Sequence, residues 1–322
     1  MAERSVEFKG FRLRVDVPDR IAQGMRRVVG RRDEPVGRRE LELGGARTVA
    51  YERRTAEAGI PLVQERIDWR LAHGADDSGS DDPESVARAV DGWAWYHTIE
   101  LPHGIVTRGV YDHRPLVPHY RIPVDLEGKR VLDVATADGF WAFEFERRGA
   151  KVTAIDIEST SEIDIPAQVK LLAAERGYDD PIGNGFALAH RLLGSQVEKV
   201  AGSIYDLDPD RLGRFDLVHA GDILLHLRDP VLALQQIRRV TSGQALLADV
   251  FDPALSGAGK GRRGLVRYHG GWNTTGWWIP SLETLVQMIA DAGFADVDVV
   301  NTYHLSPPGM SGGPWRAVVH AI

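Results

Sequence analysis

An α/β fold built on a doubly wound, mostly parallel sheet of seven strands is predicted by three observations. First, short apolar runs recur at 130–134, 152–155, 197–201, 215–220, 245–250, 297–302 and 317–322, and helical segments fill most of the gaps between them. Second, Val131-Leu132-Asp133-Val134 runs into the small-residue turn Ala135-Thr136-Ala137-Asp138-Gly139, which opens a helix at Phe140. Third, Val152-Thr153-Ala154-Ile155 ends on Asp156, about twenty residues after that turn begins.

The helices have recognisable starts. Asp82-Pro83 and Asp229-Pro230 each place an acid where the first unpaired backbone N–H groups need an acceptor, followed by proline at the first helical position. They predict helices from Asp82 to about Trp95 and from Asp229 to Val240, and Ser281–Ala292 reads as a third, ending at Gly293.

Upstream of the sheet, residues 6–15 alternate partly between apolar and charged, as one half-buried strand does. Leu41 to Tyr51 reads as a hairpin turning at Gly44-Gly45. The expected organisation is therefore a small β-containing accessory region over 1–75. A linker, helix and covering segment follows over 76–125, and the sheet domain spans 126–322. The role of the first region is open: it could touch substrate, seal a pocket or mediate a homodimer.

With 322 residues, 43% of them hydrophobic, the chain can bury a normal core. Its net charge of -7 does not favour nucleic acid or an anionic membrane. Residues 1–70 nonetheless carry 16 Lys and Arg against 12 Asp and Glu, which reads as a solvated strand face. The absence of cysteine excludes disulfides, thiolate metal sites and a cysteine nucleophile. No long apolar core follows Met1 and no run approaches membrane-spanning length, so a cytoplasmic protein is expected.

The strand–turn–helix at 130–140 points to a nucleoside-containing cofactor. A helix N-terminus and backbone N–H groups lie beneath such a ligand, and Asp156 is placed to accept from both ribose hydroxyls. Dinucleotide sites need three glycines for close approach to a pyrophosphate; this turn has one, which suits a cofactor without phosphates. Ser203-Ile204-Tyr205-Asp206 follows the third strand, with Asp206 placed to accept from an adenine amino group and Ile204 and Tyr205 against the ring. Gly221-Asp222 closes the fourth strand at the mouth of the same crevice.

On these residues, with Gly221 to Pro230 and Trp277-Trp278-Ile279-Pro280-Ser281, the chain resembles the class I S-adenosylmethionine-dependent methyltransferases. Within them it is similar to the branch that completes 5-oxyacetyl modification of wobble uridine in tRNA, and to related natural-product enzymes. The resemblance covers roughly residues 96–295. It implies that Asp133 orients the turn backbone, that Asp138 and Gly139 approach the methionyl part, and that Gly221 and Asp222 border the reactive methyl. Ala135, Ile157 and Ser203 belong to the same cofactor-binding set.

The tRNA enzyme uses a carboxylated donor held by a lysine and a tyrosine. The tyrosine position here is Leu225, and Trp93–Tyr111 contains no lysine. An unpaired buried carboxylate is costly, so ordinary S-adenosylmethionine is expected. The leading expectation is O-methylation of a small molecule, a sugar or secondary metabolite. A tRNA-modifying transferase is the alternative, and a non-catalytic cofactor-binding module is a third reading.

For the acceptor proton, His226 is the first candidate base and Asp222 the second, against plainer roles in helix capping and cofactor binding. Candidate acceptor contacts are His97 and Arg108 in the His-, Pro- and aromatic-rich segment 95–120, Trp141 on the first sheet helix, and Trp272-Asn273. Those last two sit in a glycine-rich stretch, Ser256–Trp278, suited to a lid. Asp222 and Asp249 could hold magnesium, but strand-end acids are ordinary in this fold and no metal is expected.

Overall fold

A computed structural model of the chain describes residues 3–8, 11–16, 38–43, 46–51, 79–166, 170–171, 182–256, 264–270, 276–306 and 314–322. The chain divides into two compact units, Met1–Thr55 and Ala56–Ile322.

The first unit contains two antiparallel pairs, β1 (Glu3–Phe8) with β2 (Phe11–Asp16) and β3 (Arg38–Leu43) with β4 (Ala46–Tyr51). The single strand expected over 6–15 is thus two. Phe8 pairs with Phe11, leaving Lys9 and Gly10 between them, the two-residue spacing at which hairpins reverse. The alternation continued across that break, which hid it.

In the second unit, α1 (Pro83–Asp91) starts where the Asp-Pro signal puts it, with Asp82 Oδ1 accepting from Ser85 N at 3.0 Å. It stops at Gly92, earlier than expected. Trp95 instead turns inward, fully buried, and its indole Nε1 donates to Val90 O at 2.9 Å.

The sheet follows: β5 (Arg130–Val134), α2 (Phe140–Arg147), β6 (Lys151–Asp156), α3 (Asn184–Leu193), β7 (Glu198–Ala201), α4 (Pro209–Leu212), β8 (Phe215–Gly221), α5 (Pro230–Val240), β9 (Thr241–Phe251). The short pair β10 (Val266–Tyr268) and β11 (Trp278–Pro280) comes next, then α6 (Leu282–Asp291), β12 (Val297–His304) and β13 (Trp315–Ala321). The strand order of the seven-stranded sheet is β12-β13-β9-β8-β5-β6-β7. The five strands from β9 to β7 pair in parallel, and β13 runs antiparallel to both its neighbours.

Strand residues alternate between two cores. Val131, Leu246 and Val318 face one layer with Trp95, Tyr120, Trp141 and Phe145. Leu132, Leu247 and Val319 face the other, with Leu234, Ile237 and Ile289 from α5 and α6. Burying both faces is what makes these strands near-continuous apolar runs. From β5 the chain winds outward to β7, then crosses back to β8 on the opposite side of β5. The reversal leaves a crevice beyond the carboxyl ends of β5 and β8, where open α/β sheets bind ligands.

Candidate active site

The crevice is built first from the turn after β5. Ala135 and Ala137 have φ of 58° and 49°, and Gly139 has 91°. A non-glycine residue in the left-handed region is strained, so something must hold it there. The end of β6 does so. Ala135 N and Thr136 N both donate to Ile155 O, at 2.8 and 3.3 Å, and Ala137 N donates to Asp156 Oδ2 at 2.9 Å. Asp156 Oδ1 accepts from Ile157 N at 2.9 Å. The acid expected to meet a ribose therefore also sets the shape of the turn beside it.

Asp133 is buried beneath this turn. One oxygen accepts from the Thr136 hydroxyl at 2.7 Å, and the other lies 2.7 Å from His219 Nδ1 on β8. Register makes that pair: Asp133 and His219 are opposite each other in the parallel β5–β8 ladder.

Asp138 has a different part from the one expected. Its Oδ2 accepts from Tyr96 N at 2.5 Å and His97 N at 3.0 Å, tying the segment ahead of the sheet onto the turn. That segment folds back on itself, with Thr98 N donating to Tyr111 O and Tyr111 N to Tyr96 O, each at 2.9 Å. Gly109 permits the fold: a Cβ there would lie 2.1 Å from the His97 carbonyl carbon. The result is a wall carrying Tyr96, His97, Tyr111 and His113.

On the opposite rim, Asp164 collects three residues. Its carboxylate takes the Tyr205 hydroxyl at 2.8 Å, Arg228 N at 2.7 Å and the Arg228 guanidinium. Its carbonyl accepts the Trp277 indole at 2.6 Å. Tyr205 OH in turn accepts from Asp229 N at 3.0 Å, and burial with the adjacent Asp164 pushes the phenol upward.

The far end is ionic and buried. Asp222, in the left-handed region at φ 50°, meets Arg316 Nε with both oxygens, at 2.6 and 2.9 Å. Arg316 Nη1 donates to Leu305 O and Pro314 O, both at 3.2 Å. Burial alone would lower the guanidinium, but Asp222 outweighs it and holds Arg316 above its usual range. Nearby, burial lowers His113 to about 4, so its ring is neutral at neutral pH. Tyr120 and Tyr303 share a hydroxyl–hydroxyl bond of 2.6 Å.

These groups enclose a cavity of about 810 Å³. Of the sequence-expected residues, Asp133, Ala135, Asp156, Ile157, Ser203, Ile204, Tyr205, Gly221, Asp222, His226, Trp141 and His97 line it. Asp138, Gly139, Asp206 and Arg108 do not. Asp206 is exposed at the end of the turn Ile204–Asp206, which Ser203 caps by accepting from Tyr205 N at 3.2 Å. Arg108 lies at the surface, 3.9 Å from Asp91. Trp272 and Asn273 fall outside the described residues. His226 does not cap α5; Asp229 does, accepting from Leu232 N at 3.0 Å.

Three cavity groups escaped the sequence reading of the site: His219 and Arg316, which read only as strand residues, and Asp164. Each acts through a partner 64 to 94 residues away, and no local pattern announces such pairs.

Residues 112–299, more than half of the chain, match the family model described as a methyltransferase domain. The chain belongs to this family, the class I S-adenosylmethionine-dependent methyltransferases. It is 36% identical over 110 residues to the magnesium-protoporphyrin O-methyltransferase of Rhodobacter capsulatus, covering 34% of this chain and 39% of that protein. It is 32% identical over 117 residues to a ubiquinone biosynthesis O-methyltransferase of Xanthomonas oryzae pv. oryzae, covering 36% and 40%. The methyltransferase thus spans about two fifths of the length of these curated relatives. Among solved structures, it is similar to the N-terminal domain of EvdMO1 in the presence of SAH and D-fucose, at 19% identity and a TM-score of 0.49, covering 76% of this chain and 98% of that one.

The site suits the donor of this family. Ala135, Ala137, Gly202 and Gly221 line the crevice beside Asp156, Ile204 and Tyr205, the residues expected to meet the ribose and the adenine. Among the described residues no helix is long and apolar enough to cross a membrane.

Proposed function

We propose that this methyltransferase acts on a hydroxyl oxygen of a small molecule, a sugar or secondary metabolite, with His226 taking the proton. The observation that carries this reading is the shape and lining of the cavity. Pockets for drug-sized ligands run to about 300–1,000 Å³, so a volume of about 810 Å³ has room for donor and acceptor together. Beyond the donor end the walls are Tyr111, His113, Tyr120 and Trp141, a ring-lined surface that matches a cyclic acceptor. The two curated relatives named above are O-methyltransferases, which supports oxygen as the target.

S-adenosylmethionine supplies an electrophilic methyl on a sulfonium. The protein's tasks are to align the acceptor with it and to remove the hydroxyl proton. His226 lines the cavity just past β8, next to Gly221 and Asp222, which the family resemblance expects at the methyl. Asp222 is the weaker base candidate because both its oxygens already serve Arg316. Leu225 supports the uncarboxylated donor, because its side chain offers a donor carboxylate no hydrogen bond.

The test is transfer of labelled methyl to a panel of hydroxylated rings, with tRNA as a parallel acceptor. Label recovered as a methyl ether supports the proposal; label found only in tRNA, or only on nitrogen, overturns it.

A further inference from the structure

We propose that the Nη2 hydrogens of Arg316 and the Tyr111 hydroxyl hold an oxygen of the methyl acceptor next to the one that is methylated. The preferred acceptor then carries oxygens on adjacent ring carbons. The inference rests on the oxygen-methylation reading above and narrows its substrate class to vicinal diols and catechols.

Arg316 is 4% exposed, and its bonding is uneven. Nε donates to Asp222, and Nη1 donates to Leu305 O and Pro314 O. Nη2 has no partner among the described residues, yet it is not a sealed, unsatisfied atom, so it opens onto the cavity that Arg316 lines. Every guanidinium nitrogen donates and none accepts, so Nη2 calls for an oxygen. The bonds on Nε and Nη1 fix the guanidinium plane, and with it the direction of the Nη2 hydrogens. Tyr111 packs on the same group, with Arg316 Cζ 5.6 Å from its ring centroid. Its hydroxyl is also unpaired among the described residues and open, and the residue lines the cavity.

Charge and place decide what that oxygen belongs to. Arg316 is already paired with Asp222, so a neutral oxygen suits Nη2 and a carboxylate finds the guanidinium charge compensated. Arg316 stands on β13, with β9 and β8 between it and β5, the strand whose turn carries the nucleoside-cofactor signature. The free arm therefore lies on the acceptor side of the crevice. Nη2 shares its carbon with Nε, which is 2.6 Å from Asp222 Oδ1, so the arm reaches no further than one guanidinium width from Asp222. The family resemblance expects the methyl at Asp222 and Gly221. An oxygen taking the methyl there puts its neighbour on the next ring carbon within reach of Nη2 and the phenol.

The test is calorimetry on the full chain saturated with S-adenosylhomocysteine, using catechol, resorcinol and phenol. Catechol and resorcinol carry the same groups, but only catechol has them on adjacent carbons. Wild-type protein should bind catechol about tenfold tighter than either other ring, the low end for hydrogen bonds to a charged group. Tyr111→Phe should cut that preference by about two- to tenfold and leave S-adenosylhomocysteine affinity within about twofold. Arg316→Lys, which keeps a cation opposite Asp222 but removes the Nη2 arm, should erase most of the preference. Equal wild-type affinity for the three rings, or no binding of catechol, overturns the proposal and needs no variant that must fold. So does an Arg316→Lys protein that loses S-adenosylhomocysteine as severely as catechol, because the arm would then serve the donor. In the labelled-methyl panel, ethers formed on isolated hydroxyls as fast as on vicinal ones overturn this inference and leave oxygen methylation standing. Absence of any methyl ether overturns the oxygen reading itself, and this inference with it.

Discussion

Arg316 Nε contacts both carboxylate oxygens of Asp222 across 94 residues of sequence, and both side chains are almost wholly buried. A buried pair of this kind has a characteristic asymmetry: each partner is costly without the other, while both together can be replaced at little cost. Asp222→Ala strands a buried guanidinium and should destabilise the protein by about 3–5 kcal/mol. The double change Asp222→Leu with Arg316→Met should recover most of that loss in urea unfolding. Neither protein should be active, because both residues line the cavity. If the double variant were as unstable as the single, the pair would be cooperating with further groups.

Asp249 gives a pH signature. It is fully buried at the end of β9, accepting from Leu224 N at 2.7 Å and Val250 N at 2.8 Å. Burial, then the neighbouring Asp222 charge, push its carboxyl up to about 7. The folded state thus holds a proton that the unfolded chain releases near 3.8. Its contribution to stability is full below that lower value and is lost as pH rises towards 7. Asp249→Asn, a mimic of the protonated form, should remove this slope. Its stability relative to wild type should rise between pH 4 and pH 8, by up to about 4 kcal/mol, in chemical unfolding at each pH.

How much of this was legible beforehand depended on sequence separation. The turn at 135–139 and Asp156 lie within one strand–helix–strand unit, so spacing alone exposed them. Helix starts were legible because Asp-Pro signals act on neighbouring residues. The first residues of β9 were not: Thr241 both follows α5 and begins the strand, and the polar run Ser242-Gly243-Gln244 masks it. Asp206 was expected at the adenine because it follows a strand end, yet the Ser203-capped turn leaves it exposed. His219 and Arg316 carried no local mark at all; only the sheet order, which brings β8 beside β5 and β13 beside β9, gives them partners.

Asp156 joins turn geometry to donor binding, so its removal should act on both. Asp156→Ala loses the acceptor for Ala137 N and for Ile157 N, and with it the groove for the ribose. S-adenosylhomocysteine affinity should fall by at least about tenfold in calorimetry, matching the loss of one or more bonds to a charged group. Unchanged affinity would sink the ribose assignment.

Tyr205 tests the rim. Its hydroxyl donates to Asp164 and accepts from Asp229 N at the start of α5. Tyr205→Phe removes both bonds while keeping the ring at the expected adenine position. Stability should drop by about 1 kcal/mol, since both sites are only partly buried, and donor affinity should weaken modestly. A loss of donor binding as large as that of Asp156→Ala would mean that the hydroxyl, and not the ring, makes the contact.

His226 separates binding from chemistry. It lines the cavity beside the expected methyl position, and helix capping falls to Asp229 instead. A positioned general base contributes about 10²- to 10⁴-fold to rate. His226→Ala should therefore lower kcat by a factor in that range and leave S-adenosylhomocysteine affinity within about twofold. An acceptor whose hydroxyl is already acidic, such as a nitrophenol, should suffer less, because its proton leaves with little help. If His226→Ala depressed turnover equally for acidic and ordinary hydroxyls, the imidazole would be positioning the acceptor, and proton removal would belong to another group or to water.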